Sequence, residues 1–227
     1  MNVDASEPGA ALNDVLSYDA SCRRCARLAG FLDEVKAAHP AYFCKPVPPF
    51  GAADPAFLMV GLAPGLHGAN ASGRPFTGDW CGPLLYSSLH KYGFASAPHS
   101  AHRDDGLRLL DCRVSNAVKC LPPGNKPELS EMRNCNRFLA HEIAALARLR
   151  VIVALGTVAH QAVIEAFGLK LGGHRFGHHA RHVLPRGITL LDSYHVSRYN
   201  TNTGRLTEAM FHAVLADVRS LIDGQAG

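Results

Sequence analysis

The chain reads as an α/β protein built on a mainly parallel sheet with helices on both faces. Three observations predict this. Short apolar runs without polar alternation, such as Phe57–Leu62 and Val151–Leu155, suit strands buried on both sides. Amphipathic stretches of helical length separate them, as crossover connections require. Gly and Pro clusters punctuate nearly every change of pattern. With 227 residues the chain can enclose one substantial core, and neither a repeat nor a linker divides it. We therefore expect a loose tail over residues 1–12 and a single domain over 13–227.

The elements follow in order. Ser21 can cap a helix that carries Cys22 and Cys25 and continues through Leu28, Phe31, Leu32 and Val35 to a stop at Pro40. Pro46, Pro48 and Pro49 then impose an extended connector. Phe57–Leu62 is a buried strand. The segment from Ala63 to Asp79 holds four glycines and two prolines and has no periodicity, and aperiodic loops of that length are usually functional. A helix is expected over about Pro83–Tyr92, a loop over 94–105, and a second strand over Leu109–Val118, ending near Cys120. After a turn at Pro122–Asn125, Pro127–Arg150 forms a long helix with Phe138, Ile143 and Leu146 inward. Val151–Leu155 is a strand, and a helix runs from Thr157 through Phe167 to a stop at Gly168. Arg181–Leu184 and Ile188–Leu191 are strands around a Pro185–Gly187 turn, and a final helix spans about Leu206–Ile222. In sheets of this kind ligands bind beyond the carboxyl ends of strands. The loops after Gly61, Asn116 and Tyr194 each follow a strand and can meet there.

Composition narrows the function. Hydrophobic residues make up 47%, and no apolar run approaches the roughly 20 residues that span a bilayer. Residues 1–12 lack the basic start and apolar stretch of a secretory leader, which predicts a cytoplasmic protein with no membrane partner, whose thiols stay reduced or bind metal. A formal charge of +4 permits a nucleic-acid partner without requiring one. Of seven cysteines, Cys22 and Cys25 form one close pair, while Cys120 and Cys135 stand in mid-chain with fourteen residues between them. Four such thiolates predict one metal site stapling the amino-terminal region to the middle of the chain, and they suit zinc or an iron–sulfur cluster equally. Cys44, Cys81 and Cys112 read as small apolar core residues.

The segments Gly61-Leu62-Ala63-Pro64, Gly73-Arg74-Pro75-Phe76-Thr77-Gly78-Asp79, Asn116-Ala117-Val118-Lys119-Cys120 and His195-Val196-Ser197, with the downstream Thr203-Gly204-Arg205-Leu206-Thr207, together resemble the iron–sulfur uracil-DNA glycosylases, closest to the type-B (family 5) branch. The likeness runs from Cys22 to about Thr207. It implies a three-layer α/β/α domain and a monofunctional glycosylase that hydrolyses the N-glycosidic bond of a flipped-out uracil in DNA, and of other deaminated bases such as hypoxanthine. It also implies a 4Fe–4S cluster on Cys22, Cys25, Cys120 and Cys135, with a structural role. We expect Arg23, Arg24 and Lys119 to offer phosphate contacts beside it.

Physical chemistry gives each remaining residue a role. Gly61 and Gly65 let backbone approach a ligand, Pro64 fixes the turn, and amides around Ala63 can bind a base edge or a developing anion. Related glycosylases carry an acidic or amide residue directly after the first glycine. Leu62 and Ala63 stand there instead, so the water-handling role moves to Asp79, whose plain alternative is a helix-capping carboxylate. The resemblance gives Phe76 the role of stacking on the base. Asn116 can donate and accept together and so read the amide-like edge of uracil. His195 can support the departing base anion. Ser197, Arg198, Tyr199 and Asn200 resemble the loop that enters DNA and fills the vacated stack, with Arg198 and Tyr199 as wedge or phosphate clamp. Apart from Lys119 no lysine sits in these motifs to form a Schiff base, so an abasic site without strand cleavage is expected. The histidines at 174, 178, 179 and 182 read as a basic, partly buried strand and loop. A monomer is expected. The rival readings are an iron–sulfur nucleic-acid-binding or redox protein without glycosylase activity, and a zinc-stapled hydrolase of free nucleosides.

Overall fold

The computed structural model describes residues 18–224, and the tail expected over residues 1–12 lies outside them. Six strands form one sheet among the described residues: β1 (Phe50–Gly51), β2 (Phe57–Gly61), β3 (Cys112–Asn116), β4 (Val151–Leu155), β5 (Arg181–Val183) and β6 (Thr189–Ser193), in the order β1-β3-β2-β4-β6-β5. The four central strands run parallel, and the two edges are antiparallel. Every residue of β2, β3, β4 and β6 is buried, which explains their unalternated sequences.

Seven helices accompany the sheet among the described residues: α1 (Ala26–Ala38), α2 (Ala69–Ser72), α3 (Cys81–Lys91), α4 (Leu129–Ala145), α5 (Thr157–Ala166), α6 (Arg198–Asn202) and α7 (Glu208–Asp223). Alternate residues of each strand sort to opposite faces. Met59, Val153 and Leu191 pack on one face with Leu85 of α3 and Phe211 and Val214 of α7. Leu58, Ile152 and Leu190 pack on the other with Leu139 and Ile143 of α4 and Val163 of α5. The result is the α/β/α sandwich the sequence predicts. None of the described helices is long and apolar enough to cross a membrane.

Several boundaries differ from expectation. The first helix starts at Ala26, not before Cys22: Cys25 is its amino-terminal boundary residue, and Ser21 instead donates its amide and hydroxyl to Asp19 Oδ1. The third strand is shorter than Leu109–Val118. Helix α4 begins at Leu129, where the Glu128 carboxylate and Glu131 reciprocate amide hydrogen bonds, and it stops at Ala145 rather than Arg150. Strand β1 and the one-turn helices α2 and α6 carry too few residues to show a period.

The parallel register sets out the site. Gly61 lies opposite Asn116 at the carboxyl ends of β2 and β3. One more connection, from β6, carries His195 to the same end. Beneath it, a buried ionic network joins β3 to α4. Arg113 Nε lies 2.8 Å from Glu142 Oε1, Lys119 Nζ 3.3 Å from Glu142 Oε2, and Ser115 Oγ donates to Oε2 at 2.7 Å. Burial alone would raise the Glu142 carboxyl, but Lys119 and Arg113 hold it below its ordinary value. Lys119 also donates to Ser115, and its side chain is only 3% exposed. The expected phosphate contact from Lys119 is therefore wrong, because its charge is spent inside the protein. Arg23 is engaged with Asp33, at 3.0 Å between Nη1 and Oδ1.

Candidate active site

A cavity of about 730 Å³ opens over the carboxyl ends of the parallel strands. Leu62, Ala63 and Gly65 line it from the loop after β2, Phe76, Asp79 and Trp80 from farther along that loop, Asn116 from β3, and His195, Ser197 and Arg198 from the loop after β6. Segments remote in sequence thus face one space. Gly61 lies directly beneath two of these residues: a Cβ added there would fall 2.5 Å from Phe76 Cζ and 2.6 Å from Asn116 Oδ1. Only a hydrogen side chain lets strand β2 end directly under both groups. Phe76 is buried and holds φ +53°, a conformation that the surrounding loop imposes. Its ring centroid lies 6.2 Å from that of His195.

Asn116 is 3% exposed, and its Oδ1 has no hydrogen-bond partner. Such an acceptor is costly to leave unpaired, and it borders the cavity. Asp79 accepts from the Cys81 amide at 3.0 Å through Oδ1, so its capping role is real. Its other oxygen faces Gly65, where an added Cβ would sit 3.4 Å away. Burial raises the Asp79 carboxyl, and the Cys81 and Gly82 amides offset this only in part. His195 is held neutral, its pKa lowered to about 4 by burial. Its backbone is fixed from two sides. Asn200 Nδ2 donates to the His195 carbonyl at 2.8 Å, and Gly156, at φ +90°, brings the start of α5 so close that an added Cβ would lie 3.5 Å from His195 Cβ.

Ser197 and Asn200 have partners within their own loop: the Ser197 hydroxyl accepts from the Asn200 amide and caps α6. Arg198 and Tyr199 project outward, Tyr199 being 70% exposed. Of the expected site residues, Gly61, Pro64, Tyr199 and Asn200 do not line the cavity. His67, Trp80, Cys81 and Asn125 do, and the sequence reading did not select them. Trp80 directly follows Asp79, and its exposed aromatic ring was the available signal.

Cys22, Cys25, Cys120 and Cys135 line a second, small cavity together with Leu28, Val118 and Phe138. The Lys119 amide donates to Cys135 Sγ at 3.2 Å and Asn134 Nδ2 to Cys25 Sγ at 3.6 Å. No three of these sulfurs lie mutually within 4.8 Å among the described residues. Four sulfurs on one tetrahedral zinc would sit about 3.8 Å apart. The pocket is therefore wider than a bare zinc requires. Burial and the neighbouring thiols raise the Cys120 thiol strongly. A bound cationic group offsets that penalty.

The histidine-rich segment resolves into a buried cluster that includes His160, which the sequence reading missed. His160 Nδ1 lies 2.8 Å from Asp192 Oδ1, His182 Nε2 3.3 Å from Asp192 Oδ2, and His160 Nε2 donates to the His174 carbonyl at 2.9 Å. These three donor groups could hold a metal ion by their spacing. Burial alone would lower His160, but its bond to Asp192 raises it, so a proton suffices to bridge them. The cluster ties α5 and β5 to β6.

A sequence model described as the uracil DNA glycosylase superfamily matches residues 48–219. The chain is 47% identical over 206 residues to a type-5 uracil-DNA glycosylase of Thermus thermophilus, covering 88% of this chain and 94% of that protein. It is 40% identical over 208 residues to a type-5 uracil-DNA glycosylase of Mycobacterium leprae, covering 88% and 91%. A type-4 uracil-DNA glycosylase of Archaeoglobus fulgidus is 31% identical over 160 residues, covering 70% of this chain and 66% of that protein.

Proposed function

Since the chain belongs to the uracil DNA glycosylase superfamily, we propose that it excises uracil from DNA by hydrolysing the N-glycosidic bond, as a DNA-repair enzyme. The observation that carries the reading is the unpaired, buried Oδ1 of Asn116, a residue of the cavity floor beside Phe76. Uracil offers an N–H donor next to a carbonyl acceptor. A side-chain amide meets that pair with its oxygen and its NH₂ group. Cytosine presents a lone pair where uracil has the N–H, and so leaves the acceptor unsatisfied. Hypoxanthine repeats the N–H and carbonyl edge, which extends the same recognition to other deaminated bases.

The target nucleotide must leave the base stack to reach this floor. Phe76 stacks on it, and Asn116 reads its edge. The bond then opens toward an oxocarbenium-like sugar and a base anion. Neutral His195 donates a hydrogen bond to the anion without first having to lose a proton. Asp79 takes the proton of the attacking water or faces the sugar cation with its free oxygen. Leu62 and Ala63 provide no polar side chain for either task. Without a Schiff-base lysine the product is an abasic site with an unbroken strand. Ser197 and Asn200 hold the loop from which Arg198 and Tyr199 meet the DNA.

Four cysteines gathered round one small cavity, with sulfurs spaced more widely than a bare zinc requires, support a 4Fe–4S cluster on Cys22, Cys25, Cys120 and Cys135. Such a group supplies a cross-link between the segment before α1 and the β3–α4 region, away from the bond that breaks. Ligands that must stay thiolate also favour a reducing compartment such as the cytoplasm. We read the enzyme as one domain acting as a monomer.

The test is a panel of defined lesions in single- and double-stranded oligonucleotides. Release of free uracil, with strand breakage only after alkali, is expected. A uracil strand still intact after alkali overturns the assignment.

A further inference from the structure

Beside the active-site cavity lies a groove of about 360 Å³, and Trp80 forms the wall between them. Pro83, Leu84 and Leu206 make the groove mainly apolar, and Thr201, Asn202, Thr207 and Glu208 complete its lining. Its volume falls at the lower end of small-ligand sites, about 300–1,000 Å³. Trp80 is 54% exposed, which is unusual for a large aromatic ring with no partner to cover it. Yet the indole is not loose. Its Nε1 donates to Thr201 Oγ1 at 3.1 Å, and Arg198 lies over the ring with its guanidinium carbon 5.2 Å from the centroid. Arg198 borders the active-site cavity but not the groove. The polar edge of the ring is thus satisfied, and it stands as a fixed flat surface between two spaces.

Resting on the glycosylase reading, we propose that this groove is a second nucleobase subsite, in which the base next to the excised nucleotide stacks on Trp80. Continuity selects the occupant: the cavities share one wall, and adjacent nucleotides are what a DNA strand places in adjacent spaces. Chemistry selects the base rather than the phosphate. The groove is mainly apolar and Glu208 sits at it, which disfavours an anion, while Arg198 serves the backbone on the other side. Every base has a π-face, so the subsite accepts any neighbour, and it requires a strand whose flanking base is free to unstack. The enzyme should therefore gain most from Trp80 on single-stranded or mismatched substrate.

Steady-state kinetics on single-stranded uracil oligonucleotides tests this. Trp80→Ala should raise KM about tenfold with kcat little changed, and Trp80→Phe should stay near wild type. Leu84→Glu, which puts a carboxylate in the groove and leaves the active-site cavity's lining unchanged, should raise KM in the same direction once its fold is verified by thermal melting. Replacing the base beside uracil with an abasic linker should weaken wild type about tenfold and leave Trp80→Ala indifferent; equal loss in both proteins overturns the proposal. A second readout needs no turnover, because Trp80 is the chain's single tryptophan. Its emission should be quenched as an oligonucleotide containing 2′-fluoro-deoxyuridine saturates the protein, with binding followed independently by anisotropy of a labelled strand. Unchanged emission at saturation removes the subsite and leaves uracil excision standing. Failure of wild type to release uracil is scored separately, and it removes the underlying reading instead.

Discussion

His195 and Asp79 differ in how their surroundings set them, and each difference can be measured. His195 is neutral through the physiological range, so the hydrogen bond proposed from it to the departing base should not fade between pH 8 and pH 5. His195→Ala should cut kcat about 10²–10³-fold while DNA affinity, read by anisotropy, changes little. Equal losses in both would oppose the role. Its depressed pKa also makes the fold lose stability as pH falls from the ordinary histidine value of about 6.5 toward 4, because unfolding releases an imidazole that protonates. Asp79 has the opposite sign. Its carboxyl is raised by burial, so the folded state carries a penalty at neutral pH that disappears on acidification. Asp79→Asn should therefore keep the melting temperature while lowering kcat about 10²–10⁴-fold. The acid limb of kcat/KM should lie above the ordinary carboxylate value of about 3.9 and vanish in the variant.

At the scale of elements, β3 and α4 are held together through Glu142. Removing one partner of a buried ionic group leaves the other charge unpaired. Lys119→Met should destabilise the protein by about 3 kcal/mol in denaturant unfolding, even though it lies outside the pocket. Because the Glu142 carboxyl is depressed, its contribution is present above the unfolded value and is lost as pH falls through the folded one. The variant should accordingly lose less on acidification than wild type does. The same elements show what was legible beforehand. Phe57–Gly61 and Val151–Leu155 announced themselves because a strand buried on both faces must be apolar throughout. Asn116 and His195 could be placed at strand ends for the same reason. Helix α6 could not be seen, since five residues with no buried side chain leave no periodic mark. Lys119 was misplaced because sequence shows a charge but not the Glu142 that absorbs it, twenty-three positions away. His160 was overlooked because it lies in a helix, outside the histidine-rich stretch whose His182 shares Asp192 with it.

For the whole molecule, the question is what joins the segment before α1 to the rest. Cys22 and Cys25 precede α1, Cys120 follows β3, and Cys135 lies in α4, so the proposed cluster would span three parts of the chain. Cys120→Ser should remove the visible absorbance and the iron, measured by elemental analysis, and lower the melting temperature by several degrees. Residual protein that stays folded at low temperature should still release uracil, because none of the four sulfurs lines the larger cavity. A colourless wild type with full iron-free activity would remove the cluster from the proposal.

Two adjacent parallel strands, β2 and β4, are each finished by a glycine: Gly61 pressed against Phe76 and Asn116, and Gly156 against the back of His195. That leaves little freedom to remodel the enzyme from below, since a larger residue at Gly61 collides with Phe76 and Asn116 together, and at Gly156 it is strained by φ +90°. Descendants or engineers seeking a different menu of damaged bases must work from above, at Leu62, Ala63, His67 or Cys81, where side chains already face the void.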